Sequence, residues 1–324
     1  MTTTPISLDL SHVVPEVQRS HAAPVGPLPR LHGPVLLAAD GSALAGNAAR
    51  VARDVAEHLG ATMQVVSVVD SRGVAIPPPL DVAVALADDV IGPAVHDEQA
   101  SDVRSKLAAE LDTDIDWPVR VTLGAPSAEI ARCATDKRAG LLVLGLRHHG
   151  ALGRALQDET AVHVMRRAPC PVLAVAPSLR SLPRQIVVGV DFGPSSEAAA
   201  RVALDMLAPD GTLTLAYVSN VFVQASEDGE RRIHALGVEA AFDALVNRLD
   251  AAPNVGIVRT IVAPPEPGRS AADELLALCE RTHADLIAIG TRRHGRVERW
   301  LLGSVATDVV RAGGVSVLTV PPQE

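Results

Sequence analysis

The sequence predicts two tandem, doubly wound α/β units, each built on an open parallel sheet. Three observations carry that expectation. The segment GLLVLGLRHHGALGRALQDETAVHVMRRAPCPVLAVAP, from Gly140 to Pro177, aligns without a gap on ADLIAIGTRRHGRVERWLLGSVATDVVRAGGVSVLTVPP, from Ala284 to Pro322, once Gly145 is set over Gly290. A second pair, VLLAADGSALAGNAARVA from Val35 and IVVGVDFGPSSEAAARVA from Ile186, opens each half with an apolar run stopping at Asp40 or Asp191. Such self-similarity marks the duplication of a unit of about 140 to 150 residues. Finally, strand-like and helix-like stretches alternate along both copies, as right-handed parallel crossovers require.

The elements follow in order. Residues 1–32 are rich in Pro, His and Ser without a period, an extension that is either disordered or laid along the first unit. The first unit, residues 33–178, reads as strand Val35 to Ala39, helix Ala43 to Leu59 and strand Thr62 to Val69. A long segment with Pro77 to Pro79 comes next, followed by a helix around Glu98 to Leu111, strand Val119 to Leu123 and helix Ser127 to Asp136. Strand Leu141 to Leu144, a loop, helix Glu159 to Arg167 and strand Val172 to Val175 complete it. Residues 178–184 form a short linker, which implies that the two units pack together. The second unit, residues 183–322, repeats the order: Gln185 to Val190, Pro194 to Leu207, Thr212 to Val218, a helix around Arg231 to Leu249, and Val255 to Val262. Ala271 to Arg281, Asp285 to Ile289, a glycine loop, Val305 to Arg311 and Val315 to Val320 follow. Leu141 to Leu144 and Leu286 to Ile289 are continuously apolar, as strands buried on both faces must be.

Composition bounds the function. A chain of 324 residues accommodates two cores, at the usual ~100 to 200 residues per domain. Its hydrophobic fraction is 48% but its aromatic fraction only 2%, so Ala, Val and Leu build closely packed layers. The formal net charge of -9 argues against a general nucleic-acid binder, which needs a basic face. No apolar run approaches the ~18 residues that span a bilayer, and the N-terminal residues lack the basic start and apolar core of a signal peptide, so a cytoplasmic protein is expected. Cys133, Cys170 and Cys279 show no CxxC spacing and read as small buried hydrophobes. His148, His149 and His163 lack a second spaced pair of ligands, so no metal site is assigned.

Ligands of an open parallel sheet bind beyond the carboxyl ends of its strands, where Asp191, Val218 and Gly290 fall. Gly303-Ser304 sits where a helix begins; free amides there bind anions, glycine admits a phosphate, and Ser304 acts either as an extra donor or as an ordinary cap. These segments resemble the universal stress protein family over both units. The resemblance rests on VLLAADGS, VVGVDFGPSSEAA, APCPVLAV and GTRRHGRVERWLLGSVATDVV; the last is similar to the family's nucleotide motif of Gly, two residues, Gly, nine residues, Gly and Ser or Thr. It implies an adenine nucleotide alpha hydrolase-like, Rossmann-like fold. It also implies adenine and ribose contacts at Asp191, Val218 and Ile289, with phosphate contacts at Gly290, Gly303, Ser304 and Val305. The ligand implied is ATP, with or without Mg2+. Arg293 replaces the motif's second glycine, and either blocks the triphosphate or grips it.

In the first unit the same loop carries His148 at that glycine position and Asp158-Glu159 in place of Gly-Ser. Those acids satisfy the helix start and repel phosphate, so Asp40 marks a vestigial site. A phospho-accepting receiver is discarded, because the paired acids and the lysine after the last strand are absent. No base, Walker-type lysine or acidic metal pair stands near the loop, so no catalytic residue is assigned and an enzyme is not expected, with slow ATP hydrolysis as the upper limit. Two readings remain: a nucleotide-responsive stress protein with an unidentified protein partner, and a nucleotide-independent scaffold. The resemblance further implies pairing of the last strands, Cys170 to Val175 near Val315 to Val320, as an intramolecular pseudo-dimer; further homodimerisation stays open.

Overall fold

The structure of the protein, a computed structural model, describes residues 28, 30–40, 42–70, 93–146, 158–219, 228–251, 255–262, 268–293, 300–301 and 303–322. The first half runs β1 (Val35–Ala38), α1 (Ala43–Leu59), β2 (Met63–Asp70), α2 (Pro93–Leu111), β3 (Val119–Gly124), α3 (Pro126–Asp136), β4 (Leu141–Gly145), α4 (Asp158–Met165) and β5 (Val172–Val175). The second runs β6 (Gln185–Gly189), α5 (Pro194–Met206), β7 (Thr212–Val218), α6 (Asp228–Leu249), β8 (Gly256–Val262), α7 (Ala271–Thr282) and β9 (Leu286–Gly290). It ends with β10 (Arg292–Arg293), β11 (Trp300–Leu301), α8 (Ser304–Ala312) and β12 (Ser316–Val320).

One 10-stranded sheet holds both halves, in the order β3-β2-β1-β4-β5-β12-β9-β6-β7-β8. Each half therefore reverses its strand order beside its first strand, where β1 lies between β2 and β4 and β6 lies between β7 and β9. Every neighbouring pair is parallel except β5 with β12, which run antiparallel with Leu173 opposite Leu318. Strands β4, β5 and β12 lie inside this sheet and are buried, because helices cover both faces; β4 and β5 carry no polar side chain, while β12 includes the buried Ser316 and Thr319. One core packs α1, α2, α5 and α6 on one face of the sheet, and a second packs α3, α4, α7 and α8 on the other; each continues from one half into the other.

Local chemistry sets the helices. Ser42 caps α1 by accepting the Ala45 amide at 3.4 Å, and Gly60, at φ 63, ends it in a left-handed turn. Ala48, Ala52, Ala199 and Ala203 are wholly buried. With so little side-chain bulk α1 and α5 pack against each other across the join.

The join is also tied by polar bonds. The Ala176 amide donates to Ser316 Oγ at 3.0 Å, while Asn47 Nδ2 donates to the carbonyls of Ala176 at 3.2 Å and Leu179 at 2.8 Å. Within the second half, Asp285 Oδ2 accepts the amides of Arg184 and Gln185 at 2.8 and 2.9 Å, fixing the start of β6. Upstream of β1, the Leu28 amide donates to Arg248 O at 3.1 Å and the Leu31 amide to Asp205 Oδ2 at 2.8 Å, so this stretch crosses the second half before entering the first. Arg201, almost fully buried, pairs with Asp205 and donates to Leu249 O.

Some boundaries differ from the sequence expectation. Helix α2 starts at Pro93 rather than near Glu98, since proline at a first helical position loses no bonded N–H. Helix α6 starts at Asp228 rather than near Arg231, and α4 ends at Met165, short of Arg167. Within the glycine loop, Arg292 and Arg293 pair antiparallel with Leu301 and Trp300 where only loop was expected; a chain that leaves and returns to one sheet edge brings its backbone groups side by side. Pro77 to Pro79, His148 and His149 lie outside the described residues.

Candidate functional site

The site forms where the second half reverses its strand order. At the end of β6 the Val190 amide still bonds to Ala216 O at 2.9 Å, and the chain then turns at Asp191. Asp191 Oδ1 accepts the Gly193 amide at 3.0 Å, and the Asp191 amide donates to Ser196 Oγ at 3.2 Å. Between them Phe192 takes a left-handed conformation, φ 57, uncommon for a side chain of its size. Its ring is held by Tyr217, 5.3 Å away, and edge-on by Phe242 at 5.0 Å. This aromatic cluster steadies the turn that presents Asp191.

Gly290 ends β9 against the start of α5. A Cβ there would stand 2.4 Å from the Ser195 carbonyl carbon and 2.6 Å from the Ser196 nitrogen, so only glycine lets strand and helix meet this closely. The next residue, Thr291, returns to the sheet by donating its amide to Val320 O at 2.8 Å.

Helix α8 supplies the opposite wall. Its N-cap is Gly303, with no side-chain cap bond and no acid in the first turn. The Thr307 amide bonds to Gly303 O at 3.0 Å. The amides of Ser304, Val305 and Ala306 precede that bond and have no intrahelical acceptor. A Cβ on Gly303 would meet nothing within 4 Å, so no described atom crowds this end. Helix α5 also starts at a glycine N-cap, Gly193, without a side-chain bond. By contrast α7 is closed by its own capping box, Ser270 with Asp273. The Ser270 amide, then its hydroxyl, hold the Asp273 carboxyl below the usual carboxylate range.

These walls enclose a cavity of about 560 Å3, within the ~300 to 1,000 Å3 common for small-molecule sites. Asp191, Val218, Ile289, Gly290, Gly303, Ser304 and Val305, all expected from the sequence, line it together. Arg293 lies in β10 with its backbone opposite Trp300, and its side chain is outside the described residues. Ser195, Tyr217, Ala271 and Leu275 also line the cavity and were missed. Ser195 follows the Asp191 turn closely enough to have been found; Leu275 is one apolar helix position among many and carries no signal.

Elsewhere, burial raises the thiols of Cys170 and Cys279 to about 12, and Cys133 also moves upward, chiefly by burial. His163 is exposed on α4, and the side chains of Asp158 and Glu159 lie outside the described residues. Among the described residues no three His, Cys, Asp or Glu side chains group to hold a metal ion, and no helix is long and apolar enough to cross a membrane.

The model of the universal stress protein family matches twice, over residues 32–176 and 183–321. The chain belongs to the universal stress protein family. A universal stress protein of Mycobacterium tuberculosis is 30% identical over 193 residues, covering 56% of this chain and 62% of that relative. The match thus spans less than two thirds of the mycobacterial protein. One from Thermus aquaticus is 30% identical over 141 residues, 44% of this chain and 96% of the relative. The crystal structure of a universal stress protein from Archaeoglobus fulgidus shares the fold, with a TM-score of 0.58 at 18% identity over 89% of this chain and 98% of that one. The universal stress protein assignment accounts for both halves, and the doubly wound, mostly parallel α/β sheet agrees with it.

Proposed function

We propose that the second-half cavity binds an adenine nucleotide, ATP with or without Mg2+, and that the protein is a cytoplasmic regulator of the stress response built from units 33–178 and 183–322. The observation that carries this reading is the convergence of Asp191, Val218, Gly290 and Ser304 on one cavity whose far wall is a helix start with a glycine cap. Asp191 has a carboxylate to receive ribose hydroxyls, and Val218 and Ile289 offer apolar contact to a base. Gly290, Gly303, Ser304 and Val305 surround the place where phosphates meet the amides and dipole of α8. Arg293 is included in this reading by its sequence position in the loop, where it replaces the motif's second glycine and either grips the triphosphate or blocks it. Nucleotide binding then selects among protein partners, which requires different affinities in two states of the loop.

Calorimetric titration of ATP, with and without Mg2+, tests the reading against the double variant Gly303→Asp with Ser304→Glu. One ATP per chain is expected for the wild type, with affinity lowered by about 100-fold or more in the variant, since two carboxylates face the phosphates. Absence of saturable binding to folded wild-type protein overturns the nucleotide reading and leaves a nucleotide-independent scaffold.

A further inference from the structure

We propose that the outer edge of β8 joins two copies of the chain, the two strands pairing antiparallel about a two-fold axis at Thr260. Strand β8 ends the sheet order. The Gly256 amide donates to Gly211 O at 3.1 Å, and Val262 O accepts the Ser219 amide at 2.9 Å, so positions 256, 258, 260 and 262 face β7. By the alternation of a strand, Ile257, Arg259 and Ile261 then turn their N–H and C=O groups outward. Those groups have no partner among the described residues. An edge left in this state is a template for another strand.

The side chains mark the same place. Among the described residues the large hydrophobics left exposed are Leu236 at 64%, Val258 at 45% and Ile261 at 44%. Two of them stand on β8. The third lies on α6 two turns before Asp243, whose carboxylate meets the Arg259 guanidinium of β8 at 2.6 Å, so Leu236 shares the helix face turned toward that edge. Strand β3, at the other end of the sheet, has no exposed residue, and its buried Thr122 donates to Glu129 Oε2 at 3.0 Å.

Three features make a second copy the occupant. Of the two end strands β8 alone carries exposed residues, so pairing edge to edge closes at two copies instead of running on as a fibre. Arg259 is the one charged residue of β8 and Asp243 already balances it, so two such strands meet without like-charge repulsion. A single register then serves both copies. With Thr260 on the axis, Arg259 exchanges both backbone bonds with the partner's Ile261, and Val258 stands opposite the partner's Val262. Centring the pair on Arg259 would instead set two guanidinium groups against each other.

Sedimentation velocity of the full chain across the micromolar range tests this, with a dimer expected for the wild type. Ile261→Lys sets a cation opposite the partner's Arg259 and raises the dimer dissociation constant at least about tenfold. Because Ile261 is exposed, the denaturation midpoint at a concentration where both chains are monomeric stays in place. Cysteine reads the register. Thr260→Cys brings two thiols together across the axis, within the ~4.4 to 6.8 Å between Cα atoms that a disulfide spans, and cross-links the dimer under a mild oxidant. Val258→Cys leaves its two thiols four residues apart along the ladder and does not cross-link. The native thiols of Cys133, Cys170 and Cys279 are buried. The proposal is overturned if the wild type stays monomeric, which would give the edge to a strand from a different protein. It is equally overturned if Ile261→Lys dimerises as tightly as the wild type, if Thr260→Cys fails to cross-link, or if Val258→Cys cross-links as readily.

Discussion

Gly290 and Gly303 stand at two ends of one cavity and are required for different reasons, which a methyl group separates. At Gly290 a Cβ would lie 2.4 Å from backbone atoms of Ser195 that have no freedom to move aside. Gly290→Ala is expected to destabilise the fold by about 1 to 3 kcal/mol, the cost of overpacking, measured as a lower denaturation midpoint. At Gly303 the same atom meets nothing within 4 Å, so Gly303→Ala is expected to cost about 1 kcal/mol or less, from a poorer N-cap alone. The thiols make a second test at this scale. Burial raises Cys170 from an ordinary value near 9.0 to about 12. The folded state thus prefers the neutral thiol; that stabilisation is complete below the unfolded value and is lost as pH rises through the window from 9.0 to about 12. Cys170→Ala should therefore flatten the alkaline fall in stability, read from urea midpoints across that window.

At the scale of elements, the stretch before β1 and helix α5 depend on one buried ion pair. Arg201 and Asp205 each expose 7% of their side chains, and Asp205 also receives the Leu31 amide. Asp205→Ala would leave a buried guanidinium without its counter-charge, a loss of about 3 to 5 kcal/mol. Replacing both partners by apolar residues should cost less, and a double-mutant cycle measures the difference. None of this was legible in the sequence, because Arg201 and Asp205 sit in helical spacing that reads equally well as a solvated pair. Likewise Leu28 and Leu31 lie in an aperiodic stretch whose anchors, Arg248 and Asp205, are distant in sequence, the bond from Leu31 to Asp205 alone spanning 174 positions. The helices and the strands of the 10-stranded sheet were legible, since continuous apolar runs and helical spacing are local properties, whereas the short pair β10 and β11 was not. Asp191, Val218 and Gly290 were legible as strand ends and Gly303 and Ser304 as a helix start, whereas Ile289 and Val305 came from the resemblance to the family's motif. Tyr217 and Leu275 were not legible, for their role depends on which elements the sheet brings side by side.

Among the described residues two cores run through the molecule, and neither respects the boundary between the halves. With β5 and β12 paired at the centre of one sheet, opening either half exposes apolar surface of the other. Equilibrium unfolding is therefore expected to be a single transition. The chain has 2 Trp, Trp117 in the first half and Trp300 in the second. Trp117→Phe and Trp300→Phe should give coincident fluorescence curves, and Leu318→Asp, which buries an unpaired charge at the join, should separate or abolish them. Covalent continuity across that join has an evolutionary reach. In an assembly of identical subunits every substitution is imposed on all copies of a site at once. Here Asp158-Glu159 and Gly303-Ser304 are written at separate places in one polypeptide, so selection has been free to change one crevice while leaving the other alone, and each molecule inherits the two in fixed one-to-one proportion.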